Sequence, residues 1–232
     1  TYRRYRFNSK YNILAIIDKH YRLKVLNLDN KNYEVKYEKL NNGDIYDLCF
    51  SPNGEIFAVC KSDRIEIYNQ SSLELIDKFQ TYNYPMDVIF FSNSGNKICK
   101  ASTGTIVPVV YDIIEQKKYL LPEINDVFTI KFTQDDNSIS SINSDGIIKI
   151  DIISGKTECQ SPSFSSGHLL TLTNYTSKLL LSGSNTLEVW DESSCNLIKV
   201  FGNELPSCLD SSGNYAVVVD GNRIALYDIE KY

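Results

Sequence analysis

The 232-residue sequence carries 24 Lys and Arg against 29 Asp and Glu, a net charge of −5, with a pI of about 5.1. That balance argues against broad phosphate binding, so nucleic acid is not an expected partner. No apolar run of about twenty residues is present, so no membrane insertion is expected within this segment.

Thr1–Asn42 reads as four short strands: YRRYRF, Ile13–Ile17, Leu23–Leu28 and Tyr33–Glu38. Arg3, Arg4 and Arg6 form its basic cluster. A phosphate or phosphoinositide contact is one reading of it. The preferred reading is a solvent-facing or edge strand guarded by charge. His20 and Tyr21 fall in the turn DKHY between the second and third strands.

Asp44–Gln80 is the cleanest unit. Asp44–Phe50 alternates polar and apolar residues, SPNG makes a turn, and Ile56–Cys60 is nearly all apolar. Arg64–Tyr68 alternates again and Leu73–Phe79 closes the unit. Short β-rich runs split by Pro, Gly, Asn, Asp and Ser predict an antiparallel four-stranded meander. Its expected core is Leu48, Phe50, Ile56, Ala58, Ile65 and Ile67, with Leu187 and Val189 as later equivalents.

Tyr82, Tyr84 and Pro85 follow in a connecting loop. Two tyrosines there serve either as partner contacts or as lids on the sheet beneath. In Met86–Leu121, Pro108 interrupts the run TIVPVVYD and predicts a bulge or an irregular strand. Asn143–Gly146 predicts a tight hairpin turn. Ser161–Gly167, with Phe164, is a Ser-rich loop, and Leu205-Pro206 opens the last unit.

Anchored on Phe50, the matching position recurs at Phe7, Phe91, Phe132, Leu172 and Leu209, at intervals of 43, 41, 41, 40 and 37. A polar turn and a second apolar run follow each anchor. Repeats therefore span about 1–42, 43–82, 83–124, 125–166, 167–204 and 205–232, the last with three strands. A period near forty with four strands per unit predicts an all-β fold, a β-propeller of four-stranded antiparallel blades. Six units are legible in a single propeller domain over 1–232, and a seven-bladed whole would need residues beyond these. The chain opens on Thr and on a first strand, so a preceding segment is expected to complete the last blade.

The third run of each repeat, LKVLN, IEIYN, VVYD, IKIDI, LEVWD and IALYD, carries a family resemblance. With Trp190-Asp191, Tyr227-Asp228, Tyr111-Asp112 and Tyr68-Asn69 in equivalent places, the chain resembles the WD-repeat β-propellers in degenerate form. Only one repeat keeps Trp-Asp, and Gly167-His168 stands too near Leu172 for the family's hydrogen-bond network. The resemblance implies that the loops between strands four and one, and between strands two and three, share one side of the disk. The expected partner-binding residues there are Tyr82 and Tyr84, flanked by Tyr21, Phe164, His20 and Leu205.

Residues 2–121 also resemble, through DIYDLCFSPNGEIFAVCKSDRIEI and KICKASTGTIVPVVYDII, the endoplasmic-reticulum-anchored exchange factor for the COPII-coat GTPase. That resemblance implies a small GTPase as partner and a role in vesicle transport. The family's activating cation-binding loop has no counterpart here, so no catalytic residue carries over.

No G-x-S-x-G elbow, P-loop or G-x-G-x-x-G occurs, and His20 and His168 stand in separate repeats without a metal-spaced neighbour. The expected protein is therefore no enzyme, with no cofactor and no metal. It is a scaffold for protein–protein interaction within a larger complex; the alternative is a guanine-nucleotide exchange factor-like propeller. Cysteines at 49, 60, 99, 159, 195 and 208 form no C-x-x-C pair and read as buried thiols of a cytoplasmic protein. An anchor outside these residues would place it on the cytosolic face of an internal membrane.

Overall fold

The computed structural model describes residues 2–29, 44–81, 88–102, 104–143, 145–161, 169–172, 178–182, 186–202, 205–209, 215–220 and 223–228. Among them every regular element is a strand. Two compact units divide the chain, one of Thr1–Ser102 with Pro108–Leu120, the other of Thr103–Val107 with Leu121–Tyr232.

The first unit holds three sheets. Strands β1 (Tyr2–Asn8), β2 (Ile13–Asp18) and β3 (Leu23–Asn27) form the first, in that order. Strands β4 (Asp47–Phe50), β5 (Ile56–Cys60), β6 (Arg64–Asn69) and β7 (Leu75–Gln80) form the second as a plain meander. The third takes β8 (Val88–Phe91) and β9 (Lys97–Ala101), skips β10 (Gly104–Ile106), and adds β11 (Val109–Asp112) and β12 (Lys117–Leu120). The fourth strand expected at Tyr33–Glu38 lies outside the described residues.

One local device repeats in the first turn of three blades. Ser51, Ser92 and Thr133 each donate their amide to the carbonyl five residues on, at 2.9 Å. Each hydroxyl oxygen then accepts the amide of that same residue, at 3.1 to 3.2 Å. The side chain thus supplies a hairpin closure that the backbone alone would leave half-made. Gly54 takes φ +72° in the first of these turns, and a Cβ there would stand 2.7 Å from Asn8 Oδ1. Its carbonyl accepts a 3.0 Å bond from Asn8 Nδ2, so the turn is docked on the neighbouring blade.

The core lies between blades. Ile13, Ala15, Ile17, Leu23 and Val25 of the first sheet pack on Ile45, Leu48, Phe57, Val59 and Tyr68 of the second. The opposite face of the second, with Cys49, Ala58, Cys60, Ile65, Ile67 and Phe79, packs on Ile89, Ile98 and Tyr111 of the third. Strand period two sends alternate residues to the two neighbours, and both destinations are apolar.

The second unit begins with a ribbon in which β10 pairs with β13 (Ile124–Val127). Strands β14 (Thr129–Phe132), β15 (Ser138–Asn143), β16 (Gly146–Asp151) and β17 (Thr157–Gln160) make one four-stranded sheet. Strands β18 (Leu169–Leu172), β19 (Lys178–Ser182), β20 (Thr186–Asp191) and β21 (Asn196–Gly202) make the next. A three-stranded sheet of β22 (Leu205–Leu209), β23 (Tyr215–Asp220) and β24 (Arg223–Asp228) ends it.

Four expectations need correction. Leu48, Ala58, Ile65, Ile67 and Val189 are buried, but Phe50 and Ile56 are only partly so, and Phe7 is exposed. The anchor position sits at the end of its strand, where the turn leaves one side open; the side chain of Leu187 lies outside the described residues. The Pro108 run does more than bulge. Its first half leaves the blade as β10, because a proline has no amide to continue the ladder.

The Arg cluster lies on the edge strand β1, but it is more than a solvent-facing guard, since Arg4 and Arg6 reach Asp47 on β4 at 3.5 and 3.0 Å. Three acidic residues, Asp47, Glu66 and Glu192, are buried. Finally, Cys159 and Cys195 form a disulfide, whereas Cys49, Cys60 and Cys99 are buried thiols. Their separation of 36 residues is nearly one repeat, which sets two neighbouring blades side by side.

Candidate partner-binding face

The loops expected to share one side do so in the first unit. Thr81, just after β7, donates its amide to the carbonyl of Asp63 in the β5–β6 turn at 2.8 Å. Ile45, just before β4, donates its amide to the carbonyl of Tyr21 in the β2–β3 turn at 2.9 Å. Hydrogen bonds of that length require the four-to-one and two-to-three connections to meet at one edge.

The β2–β3 turn is built on Asp18. Its Oδ1 accepts the amides of His20 at 2.8 Å and Arg22 at 3.1 Å, and its Oδ2 accepts the Arg22 guanidinium at 3.1 and 3.2 Å. Desolvation acts to raise the Asp18 pKa, but the bonds from Arg22 and His20 outweigh it and hold the carboxyl below its ordinary value. Tyr21 takes φ +60° at the tip, a conformation rare for a bulky side chain. Its half-buried ring lies 5.1 Å from that of Tyr46, tilted by 56°. Tyr21 thus joins two blades while keeping an exposed part, and His20 beside it is exposed.

The expected anchors Tyr82 and Tyr84, and Phe164, lie outside the described residues. What is fixed is the root of their loop. Thr81 Oγ1 accepts a 2.8 Å bond from the buried ammonium of Lys100. Leu205 begins β22, with its side chain outside the described residues. Of the expected contacts, His20 and Tyr21 have described side chains, and they share the β2–β3 turn.

Sequence reasoning missed the charged groups behind this face. Lys61, in the β5–β6 turn, pairs with Glu66 Oε2 at 2.8 Å, both side chains almost wholly buried. Arg64 Nε donates to Glu66 Oε1 at 2.7 Å, and the Tyr68 hydroxyl to Oε2 at 2.6 Å. Desolvation alone would raise the Glu66 pKa; the bonds from Lys61, Tyr68 and Arg64 prevail and bring it to about 2. Asp47 behaves in the opposite way. Burial raises its pKa despite Arg6, Arg4 and the amide of Ile89, which donates to Oδ2 at 3.1 Å. Strand alternation hid these residues, because a polar residue at a facing position looks like a solvent-exposed one.

In the second unit Lys131 pairs with Glu192 at 3.0 Å, both buried. Glu192 precedes Cys195 in the β20–β21 turn, and Trp190 packs with Ile142, Ile147 and Cys195. Trp190 Nε1 donates to Glu188 Oε2 at 2.9 Å. No group of three metal-ligating side chains occurs among the described residues, and no helix long and apolar enough to cross a membrane occurs among them.

Comparison with known proteins follows from this architecture. The sequence profile of eukaryotic translation initiation factor eIF2A matches residues 15–152, more than half of the chain. The chain belongs to the eIF2A family. The match runs from within β2 through β16, so it leaves out β1, spans the second and third blades and takes in most of the fourth. No curated protein sequence matches the chain.

Among solved structures, it is similar to the β-propeller domain of Cps50 (Swd1) from Myceliophteria thermophila. The TM-score is 0.67 at 14% identity, covering 100% of this chain and 85% of that one. Together with the antiparallel four-stranded sheets, this makes the fold a WD-repeat-like β-propeller.

Proposed function

We propose that this protein is a non-catalytic β-propeller platform that gathers protein partners in translation initiation. Membership of the eIF2A family over residues 15–152 carries this reading. The physical support is the packed sheets of the first unit, whose loops meet at one edge, the arrangement by which a propeller presents contacts without moving. Tyr21 and His20 contribute to that edge, and Tyr82 and Tyr84 follow Thr81 in the sequence. Large aromatics give much contact area for little lost side-chain freedom, so two of them can dominate binding.

The test is sedimentation of initiation complexes from a cell extract through a density gradient. The protein is expected to travel with the complexes, and a Tyr82→Ser, Tyr84→Ser variant of unchanged melting temperature to stay at the top. Wild-type protein that stays at the top overturns the reading. Accelerated nucleotide release from the COPII-coat GTPase would replace it with the exchange-factor alternative.

A further inference from the structure

The fourth and fifth blades both belong to the second unit, and the seam between them is partly polar. Lys131 on β14 crosses it to reach Glu192 at 3.0 Å, both side chains buried. In the strand register Ser140 pairs with Lys131 on one side and Lys149 on the other, so it shares their face. Its hydroxyl is wholly buried and makes no hydrogen bond. Two residues further along β15, Ile142 joins Ile147, Trp190 and Cys195 in the apolar part of the same seam. Such a seam gains little from staying shut. A buried ion pair roughly breaks even against the hydration of its two charges, and a buried hydroxyl without a partner is better placed in water.

The fastening is covalent. Cys159 on the edge strand β17 is bonded to Cys195 in the β20–β21 turn. The turn does not need that bond for its shape. Asp191 Oδ1 accepts the Ser194 amide at 2.8 Å and the Ser194 hydroxyl at 2.9 Å. Cys195, the fifth residue counted from Asp191, takes φ +54°. Leu73, Gln116 and Gly155 take φ +59°, +52° and +65° at the matching place of the three preceding blades, and none of them is a cysteine. Strand β17 is likewise held by its pairing with β16. Cutting the bond therefore frees one blade from the next without unmaking either.

We propose that the Cys159–Cys195 bond is a redox latch on this seam, opened by a dithiol reductant and closed again by exchange with a disulfide. Cys159 is partly exposed whereas Cys195 is buried, so the reductant's thiolate attacks Cys159 Sγ. A mixed disulfide forms there, the Cys159–Cys195 bond breaks, and Cys195 leaves with the electron pair and takes up a proton. The reductant's second thiolate then attacks its own sulfur in the mixed disulfide and releases Cys159, which takes up a proton in turn. Two electrons pass from the dithiol, which ends as a disulfide. Cys49, Cys60 and Cys99 are buried thiols, and burial pushes Cys49 and Cys99 up, away from the reactive thiolate. The latch does not depend on the reading of this protein as a partner platform.

Amine-reactive labelling of the full chain, read peptide by peptide by mass spectrometry, tests this with dithiothreitol as reductant and glutathione disulfide as oxidant. Lys131 reports on the seam. Lys61, also buried but paired with Glu66 inside one hairpin, reports on general unfolding. Reduction is expected to speed Lys131 labelling by about tenfold or more and to leave Lys61 unchanged, as for a local opening. Reoxidation is expected to restore slow Lys131 labelling. A Cys159→Ser, Cys195→Ser variant is expected to label at the reduced rate in either buffer. The wild-type comparison needs no substitution, so it decides the matter even where that variant does not fold. Free Cys159 and Cys195 thiols in the oxidant, unchanged Lys131 labelling, Lys61 rising together with Lys131, or a change that reoxidation does not reverse each overturn the proposal.

Discussion

Lys61 and Glu66 meet at 2.8 Å across a β-hairpin, with side chains only 3% and 7% exposed. A buried carboxylate persists only where donors replace its water, and here Lys61, Arg64 and Tyr68 do so. Glu66 has a folded pKa of about 2 against an ordinary 4.5. Its depressed value means the unfolded chain binds the proton more readily. The stabilisation is therefore complete above pH 4.5 and is lost as pH falls from there towards 2. Thermal unfolding followed between pH 6 and 2.5 is expected to show a decline over that window, shallower in Glu66→Gln. A Gln variant with the same slope as wild type would show that other groups govern acid unfolding.

Asp47 connects three blades, through Arg4 and Arg6 on β1 and the amide of Ile89 on β8. Asp47→Ala leaves a buried amide and two guanidinium groups without their acceptor. Removing one side of a fully buried pair costs roughly 3–5 kcal/mol, and the partial exposure of both arginines lowers this to about 2–3 kcal/mol. Asp47→Asn keeps an acceptor for Ile89 and is expected to recover part of the loss. Denaturant midpoints rank the three proteins, and an Ala variant as stable as the Asn one would remove Asp47 from this role.

The Cys159–Cys195 bond closes a loop of 36 residues between blades four and five. Loop-closure entropy for that length gives about 4 kcal/mol of stabilisation. The melting temperature is expected to drop on adding a thiol reductant, and to be insensitive to it in Cys159→Ser, Cys195→Ser. Mass mapping of alkylated peptides from the non-reduced protein decides whether the bridge forms.

Phe57 is wholly buried between the first two blades and stacks on Tyr68 at 5.3 Å. Phe57→Ala is expected to cost about 3–5 kcal/mol. The half-buried Phe50→Ala is expected to cost distinctly less, although both are phenylalanines of one hairpin. Equal losses from the two would contradict the inter-blade core described above.

The repeat was legible in the sequence because its causes are local. Alternation of apolar residues fixes a strand, and SPNG or NSDG fixes a turn, whatever surrounds them. The same locality explains what was hidden. Asp47 reaches Arg6 across 41 residues and Ile89 across 42, one repeat in either direction. Nothing in the run DIYDLCF separates that aspartate from a solvated one, because its partners are set by the registration of one blade on the next. The disulfide is of the same kind: two cysteines at unremarkable positions become neighbours only when β17 lies beside the β20–β21 turn. Pro108 was visible as a break, but its outcome, a strand transferred to pair with β13, depended on an edge contributed from elsewhere in the chain. The sequence by itself determined the blades, since each is made by its own forty residues. Only the tertiary structure decided which faces meet and which charges are buried between them, since those depend on neighbours a full repeat away.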